Sequence, residues 1–355
     1  MKNSTYLRIS KNNFKVTWCV IFLFTVFCQT LLAQNYRNAK AYIVDFGRNE
    51  LFVKEALMEY SASIVNADLE GRVSDNLVRL YQKLETINAN LLKNDRGING
   101  DLDLRNAFMK LNLETIYLLK NKSLKLNDYK FQSALDYSEI MSNFDYKESA
   151  IKKYYTEILN YENKKKEFGL KYKIQIRYFN KKNVFEYDAY QSFIYYRLNV
   201  LDEKFTELLK STNSEAATKC MNYITLIGQE SLLRTDTYRN DFADTSLNDA
   251  NIEFINFMMA QKEKILPLFN NYITTSTNFY SIKQKSEDNK NTISDEEYNT
   301  EVRKFNKAKN DFFDALLKVQ TEKQNLLLKW QVTNSNFLKH NIEFENLYEK
   351  FTKTN

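Results

Sequence analysis

Residues 302–330 read VRKFNKAKNDFFDALLKVQTEKQNLLLKW, and this stretch decides the fold. Its apolar residues recur at steps of three, four and seven positions, which places them in one stripe along an α-helix. The pattern predicts a long amphipathic helix that buries one face. The stripe consists of Phe305, Ala308, Phe312, Leu316, Val319, Leu326 and Trp330.

The rest of the chain also favours helices. It contains one proline and six glycines, too few for the tight turns that join strands. Thr212-x-x-Glu215 and Ser294-x-x-Glu297 have the spacing of capping boxes, in which side chains bind the free amides of a helix start. Pro267 lacks an amide proton, so we expect a kink or break just before it. The fold class is therefore predicted to be all-α.

The apolar periodicity predicts helices separated by short polar loops at 94–101, 178–184, 240–246 and 284–293. Long helices joined by short loops pack as up-and-down bundles. The predicted helices are 45–66, 70–94, 102–126 and 143–176 in the first half, and 184–210, 213–238, 247–275, 295–332 and 336–352 in the second.

Two offsets suggest an internal duplication. YYTEILNYENKKKEFGLKYKI from Tyr154 aligns without a gap on FFDALLKVQTEKQNLLLKWQV from Phe312, 158 positions later. At an offset of 143, the Asp101-x-x-Leu104 segment aligns on Asp244-x-x-Leu247. We predict two duplicated bundles with long antiparallel helices. The predicted domains are 34–178 and 179–355. The alternative is coincidence, because any two amphipathic helices share periodic apolar positions.

The first 33 residues have the features of a signal peptide. A basic segment precedes the apolar run VTWCVIFLFTVF at 16–27, which would span only ~18 Å as a helix. A membrane span needs about 20 apolar residues. We predict cleavage between Ala33 and Gln34, which places the mature chain in the periplasm, on the outer surface or outside the cell. Alternatives that keep it on a membrane are an uncleaved leader or lipidation at Cys28, although Val26 and Phe27 are large for a lipobox.

Charge and cysteine content narrow the partners. The leader carries four basic and no acidic residues, so its removal lowers the formal net charge from +6 to +2. Nucleic-acid binding needs a concentrated basic face, and the largest basic clump, KKK at 164–166, is predicted to be a solvated helix face. We therefore expect no nucleic acid partner. Cys220 is the one cysteine after cleavage, which leaves no internal disulfide and predicts a small buried hydrophobe.

The sequence singles out no catalytic, cofactor or metal residues. It has one histidine, His340, and lacks a G-x-S-x-G nucleophile motif and a phosphate-binding loop. Asn99, Asp101 and Asp103 alternate as in a calcium loop, but the positions of the loop glycine and of the bidentate acid are occupied by Leu104 and Lys110. We expect Asp101 or Asp103 to cap a helix instead. A catalytic pair among the 45 acidic residues stays open.

Aromatic residues are abundant, with 24 tyrosines and 25 phenylalanines. Many tyrosines occupy stripe positions, where the ring packs in a core and the hydroxyl reaches a partner at its rim. The alternative is an aromatic surface for a glycan, peptide or protein, because aromatic residues and arginine dominate binding hot spots. The candidate interaction patch is Phe193, Tyr195, Tyr196 and Arg197, within FIYYR.

The segment GDLDLRNAF at 100–108, followed by DYSEIM and YKESAIKKYY, resembles the leptospiral-type bacterial surface lipoprotein family. The resemblance implies a helical exported protein that resides at the surface or in the periplasm and has no known catalysis. Cys28 departs from it, since a convincing lipobox is lacking.

These features predict an exported, non-catalytic binding or scaffold module of the bacterial cell envelope, with a protein or glycan partner. The alternative from another class is a carboxylate-dependent, glycan-cleaving envelope enzyme. A third possibility is a carrier that holds an apolar ligand in a dry cavity within a bundle.

Overall fold

The computed structural model describes residues 38–65, 75–176, 183–288 and 293–341. Within these ranges the chain forms helices and no strand, which confirms the all-α class. The predicted signal peptide, with Cys28 and the Ala33–Gln34 cleavage site, lies outside the described residues. The helices are α1 Ala39–Val65, α2 Asp75–Asn94, α3 Asp103–Lys120, α4 Tyr129–Ser133, α5 Tyr137–Lys171, α6 Val184–Lys210, α7 Ser214–Tyr238, α8 Ser246–Lys264, α9 Leu266–Asp288 and α10 Asp295–Asn341.

The first bundle contains α1, α2, α3 and α5. Each of these helices packs against the next along the chain, as the short loops predicted. Aromatic rings fill the centre: Phe108 lies 5.3 Å from both Phe46 and Tyr161, measured between ring centroids. All three side chains are almost completely buried. Edge-to-face and tilted ring contacts of this kind favour one packing arrangement over others.

The second bundle contains α6, α7, α8 and α10, and α6 joins it to the first. Of the 27 residues of α6, 19 are buried, because the helix packs on α1, α4 and α5 as well as on α7, α8 and α10. The Asn183 side chain caps it by accepting hydrogen bonds from the amides of Phe185 and Glu186. A helix that is buried all round in this way belongs to the core of a large protein.

The helix predicted at 247–275 is broken at Ile265, between α8 and α9, which confirms the effect expected from Pro267. Beyond the break, α9 and the first half of α10 form a helical hairpin. Stacked rings hold it together, with 5.0 Å between the centroids of Phe279 and Phe305. Only Leu266 and Phe269 of α9 are buried, so the hairpin projects from the bundle.

Several predicted boundaries were wrong. α10 continues to Asn341, and the predicted break after residue 332 is absent, because Asn334 and Phe337 extend the buried stripe without a helix breaker. α5 begins six residues early, at Tyr137, because Asp136 and Glu139 form a capping box. The short helix α4 was not predicted.

The starts of four helices fall at the two sequence offsets. α5 begins at Tyr137 and α10 at Asp295, 158 positions later; α3 begins at Asp103 and α8 at Ser246, 143 positions later. These starts agree with a duplicated unit, but the duplication itself stays a prediction. None of the described helices combines the length and the apolar character that crossing a bilayer requires.

Candidate binding groove

The interaction patch predicted at 193–197 lies in the core, so the prediction of an exposed patch is corrected. Phe193, Tyr195, Tyr196 and Arg197 are each at most 4% exposed. The prediction was wrong because α6 is surrounded by other helices. The arginine within the aromatic run FIYYR does not indicate this burial. Among these four residues, no side chain is free to meet a partner.

Arg197 instead ties helices together. Its guanidinium lies 5.7 Å from the ring centroids of Phe144 and Phe193, and its Nη2 donates to Glu230 Oε2 at 2.7 Å. This hydrogen bond holds the pKa of the Glu230 carboxyl below its usual range. Arg234 binds the same carboxylate and also Glu148 of α5. The cluster joins α5, α6 and α7, which gives Arg197 a structural role.

Of the residues considered for calcium, only Asp101 binds an amide at the start of α3, and the N-cap position itself is occupied by Leu102, which makes no side-chain cap. Asp101 Oδ1 accepts from the amide of Asp103 at 3.1 Å, and Asp101 Oδ2 accepts from Lys171 Nζ at 2.8 Å. Although burial raises the pKa of Asp101, these hydrogen bonds lower it further than burial raises it. The part of the chain that the structure describes contains no group of three or more His, Cys, Asp or Glu residues that is arranged to hold a metal ion.

Cys220 is buried within α7, and burial raises the pKa of its thiol to about 12. The thiol therefore stays protonated at neutral pH and is a poor nucleophile. His340 lies on a different helix from Cys220, in the last turn of α10. The Cys220 environment fits the small buried hydrophobe that was predicted.

One residue of the basic clump at 164–166 departs from the prediction. Lys165 is 4% exposed, and its Nζ lies 3.2 Å from Glu50 Oε1 and 3.2 Å from Glu162 Oε1. Tyr161 donates a hydrogen bond to Glu50. Burial raises the pKa of Glu50, while the charge of Lys165 opposes the shift. Glu50 is 2% exposed, so its carboxyl group is not accessible to a polymer substrate.

A cavity of about 410 Å³ opens between α6, the α8–α9 junction and α10. We call it the groove. Its volume lies within the ~300–1,000 Å³ that small-ligand sites occupy. Apolar and polar side chains share the lining. The apolar ones are Phe205, Leu209, Ile265, Leu316, Val319 and Leu327, and the polar ones are Asp202, Glu203, Thr206, Gln261, Gln320, Lys323 and Gln324.

The charged groups of the groove form one cluster. Lys323 Nζ donates to the Asp202 carboxylate and lies 3.9 Å from Glu203 Oε1. The Asp202 side chain is 9% exposed and that of Glu203 is 32% exposed. Two carboxylates therefore share one ammonium group, and the lining has a formal charge of −1. The more exposed carboxylate, Glu203, is the one that is less closely paired with Lys323.

Gln261 contributes a buried side chain to the lining. It is 3% exposed, and its Nε2 donates to the Phe257 carbonyl of its own helix at 2.8 Å. Its Oε1 is enclosed and accepts no hydrogen bond from any of the described residues. A buried polar atom without a partner costs ~1–3 kcal/mol.

An uncharged face of α10 continues from the groove toward solvent. It includes the groove residues Gln320 and Gln324 together with Phe313, Leu317 and Leu328, which are 47%, 65% and 61% exposed. Their spacing of three and four positions places them on one strip of the helix. The strip is ~23 Å long, given a rise of 1.5 Å per residue. Exposed apolar residues gathered beside a cavity commonly mark an interaction site.

The sequence does not single out this groove. Leu316 and Val319 belong to the predicted core stripe, and Asp202 and Glu203 look like ordinary helix charges. The available signal was the second apolar strip of α10, at Phe313, Leu317 and Leu328, which makes the apolar surface wider than one buried face needs.

No protein-family model, curated protein or solved structure matches the chain. The resemblance to the leptospiral-type surface lipoprotein family therefore stays a prediction.

Proposed function

We propose that the chain is an exported, non-catalytic binding module of the bacterial cell envelope and that it binds its partner in the groove. The observation that carries the proposal is the combination of an open cavity, lined by apolar and polar side chains in similar measure, with the exposed uncharged strip of α10. Export is supported by the leader sequence, with cleavage proposed between Ala33 and Gln34. Residence in the periplasm, at the outer surface or outside the cell follows from export.

A duplicated architecture is part of the proposal, as the scaffold that holds the groove in place. We propose that residues 34–178 and 179–355 derive from one helical unit, because helices start at the offsets of the sequence repeat. The groove belongs to the second unit, where α10 is 12 residues longer than α5, its proposed counterpart.

An enzyme that uses a carboxylate pair finds less support. Asp202 and Glu203 line the groove, but both carboxylates converge on the single ammonium group of Lys323. Glycoside cleavage requires two carboxyl groups that flank the scissile bond. Two acids that are adjacent in the sequence and share one lysine are better suited to binding a cation than to this chemistry.

Site-specific photocrosslinking in intact cells tests the proposal. A photoreactive amino acid at Leu327 lies in the groove, and one at Leu233 of α7, which is 74% exposed, serves as a surface control. We expect a discrete envelope product from the Leu327 position and none from the Leu233 position. Equal yields at the two positions, or no product at Leu327, would count against the groove.

The exported state is tested separately. Mass spectrometry of the native N-terminus, combined with cell fractionation, is expected to find Gln34 as the first residue in an extracytoplasmic fraction. A chain that retains Met1 would reveal an uncleaved anchor, and a lipid on Cys28 would reveal a lipoprotein.

A further inference from the structure

We infer that the ligand of the groove is an apolar peptide segment that carries one basic side chain. This inference rests on the proposed function, since it names the class of partner that the same groove accepts. Three features of the lining lead to it: its charge, its amide groups and its apolar floor.

The charge of the lining selects a cation. Asp202 and Glu203 together carry two negative charges, and Lys323 supplies one positive charge. Glu203 lies 3.9 Å from Lys323 and is about one third exposed, so a ligand ammonium or guanidinium group can approach it from the open side. Attraction between charges is stronger in a partly desolvated groove than in bulk water. A carboxylate on the ligand would add to the existing repulsion.

The amide groups select a ligand that forms hydrogen bonds. Gln320 and Gln324 lie one turn apart on the exposed α10 wall, and each offers both donors and acceptors. A peptide backbone supplies an N–H and a C=O at every residue, which matches this wall. A bare alkyl chain offers these two amides neither a donor nor an acceptor.

The floor selects an apolar body. Phe205, Leu209 and Ile265 lie opposite Leu316 and Leu327, and burial of apolar side chains there supplies most of the binding free energy. Phe205 is the one aromatic residue of the lining, so the groove is better shaped for aliphatic side chains than for a stack of flat rings. An aliphatic segment with one lysine or arginine satisfies all three features.

Fluorescence anisotropy with the full mature chain tests the inference. The probe is fluorescein-labelled Leu-Leu-Lys-Leu-Leu with an amidated C-terminus, compared with probes that carry Glu or Gln in place of Lys. We expect the Lys probe to bind at least about tenfold more tightly than the Glu probe at low salt, and the difference to shrink in 0.5 M salt. Equal affinities, or tighter binding of the Glu probe, would overturn the inference.

Variants locate the effect. Glu203→Gln is expected to reduce the ratio of Lys-probe to Glu-probe affinity about fivefold or more. The matched control is Glu207→Gln, one turn along the same helix, where the side chain is 64% exposed and paired with Lys210 outside the groove. This control should leave the ratio unchanged. If both variants lower the ratio equally, the charge of the whole surface is responsible and the groove assignment fails.

Gln324→Met separates binding from stability. The substitution removes an exposed amide of the groove wall, so stability should be unchanged, while affinity for the Lys probe falls about fivefold. An unchanged affinity would refute the role of the amide wall. Dodecylamine serves as an apolar cation without a backbone. Binding of dodecylamine without binding of the peptides would overturn the peptide class.

Different results would refute the ligand class and the cellular role of the groove. A crosslinked envelope partner at Leu327, combined with no preference for the Lys probe, would refute the ligand class and retain the groove as the binding site. A strong preference for the Lys probe with no envelope product would support the groove chemistry and refute the cellular role.

Discussion

Asp188 gives the sharpest test of the packing around α6. It is fully buried on α6, where Asn334 Nδ2 of α10 donates to its Oδ1 at 2.6 Å. Burial raises its pKa from 3.8 to about 6, although hydrogen bonds from Ser61 and Asn334 lower it. We predict that Asp188→Asn increases stability at neutral and alkaline pH, because the amide keeps the acceptor for Asn334 and carries no charge into the core.

The magnitude follows from the shift in pKa. A rise of about two units corresponds to ~3 kcal/mol, at 1.36 kcal/mol per unit. Because the folded pKa is the higher one, the contribution of Asp188 to stability is fully present below pH ~4 and is lost as the pH rises through about 6. The Asn variant does not lose this contribution. Its free energy of unfolding should therefore rise relative to that of the wild type between pH 4 and pH 7, and the difference should stay constant above pH 7.

Urea unfolding followed by circular dichroism, at pH values from 4 to 8, measures the effect. Asp236→Asn on α7 is the control, since that side chain is 77% exposed and its replacement should change the free energy of unfolding by less than ~0.5 kcal/mol. An Asp188→Asn variant that is less stable than the wild type at pH 8, or whose advantage is the same at every pH, would refute the reasoning.

Three further predictions concern the bundle interior. Gly47→Ala should stabilise the protein by ~0.5–1 kcal/mol, because a Cβ at this position meets no atom within 4 Å. Gly228→Val should destabilise it by ~1–3 kcal/mol, because a Cβ at that position lies 2.5 Å from Met259 Sδ. Thermal unfolding of both variants measures the two effects. Cys220, with its thiol pKa raised by burial to about 12, should not react with Ellman's reagent until urea unfolds the chain, and rapid labelling of the native protein would contradict the burial. Trp330→Phe should cost ~1–3 kcal/mol of unfolding free energy, because the indole Nε1 donates at 2.9 Å to a buried amide oxygen that phenylalanine would leave unpaired; a neutral substitution would refute this role.

The helical framework could be predicted from the sequence because it depends on local patterns. The apolar stripe from Phe305 to Trp330 and the polar segment at 240–246 gave the helix types and several boundaries, and Pro267 gave the break. The α6 bounds at 184 and 210 were correct. These signals act within one or two helical turns, so they can be recognised in the sequence without knowledge of the tertiary fold.

The positions of functional side chains could not be predicted, because they depend on which helices surround each one. Tyr196 and Arg197 look like surface binding residues in FIYYR, yet α6 is enclosed on all sides and both are buried. Lys165 looks solvated within KKK, yet its partner Glu50 lies 115 positions earlier in the chain. The groove could not be predicted for the same reason, because Glu203 and Lys323 meet only after α6 and α10 pack together.

We propose the groove as the site at which the protein binds its partner. The most direct measurement is the yield of photocrosslinking from Leu327 in intact cells before and after the groove is obstructed by Gln320→Trp, an exposed position on its wall. The matched control is Thr321→Trp, the next residue on α10, which is also exposed and lies outside the lining. We predict that Gln320→Trp reduces the yield several-fold while Thr321→Trp leaves it unchanged. An unchanged yield in the Gln320→Trp variant would contradict the account.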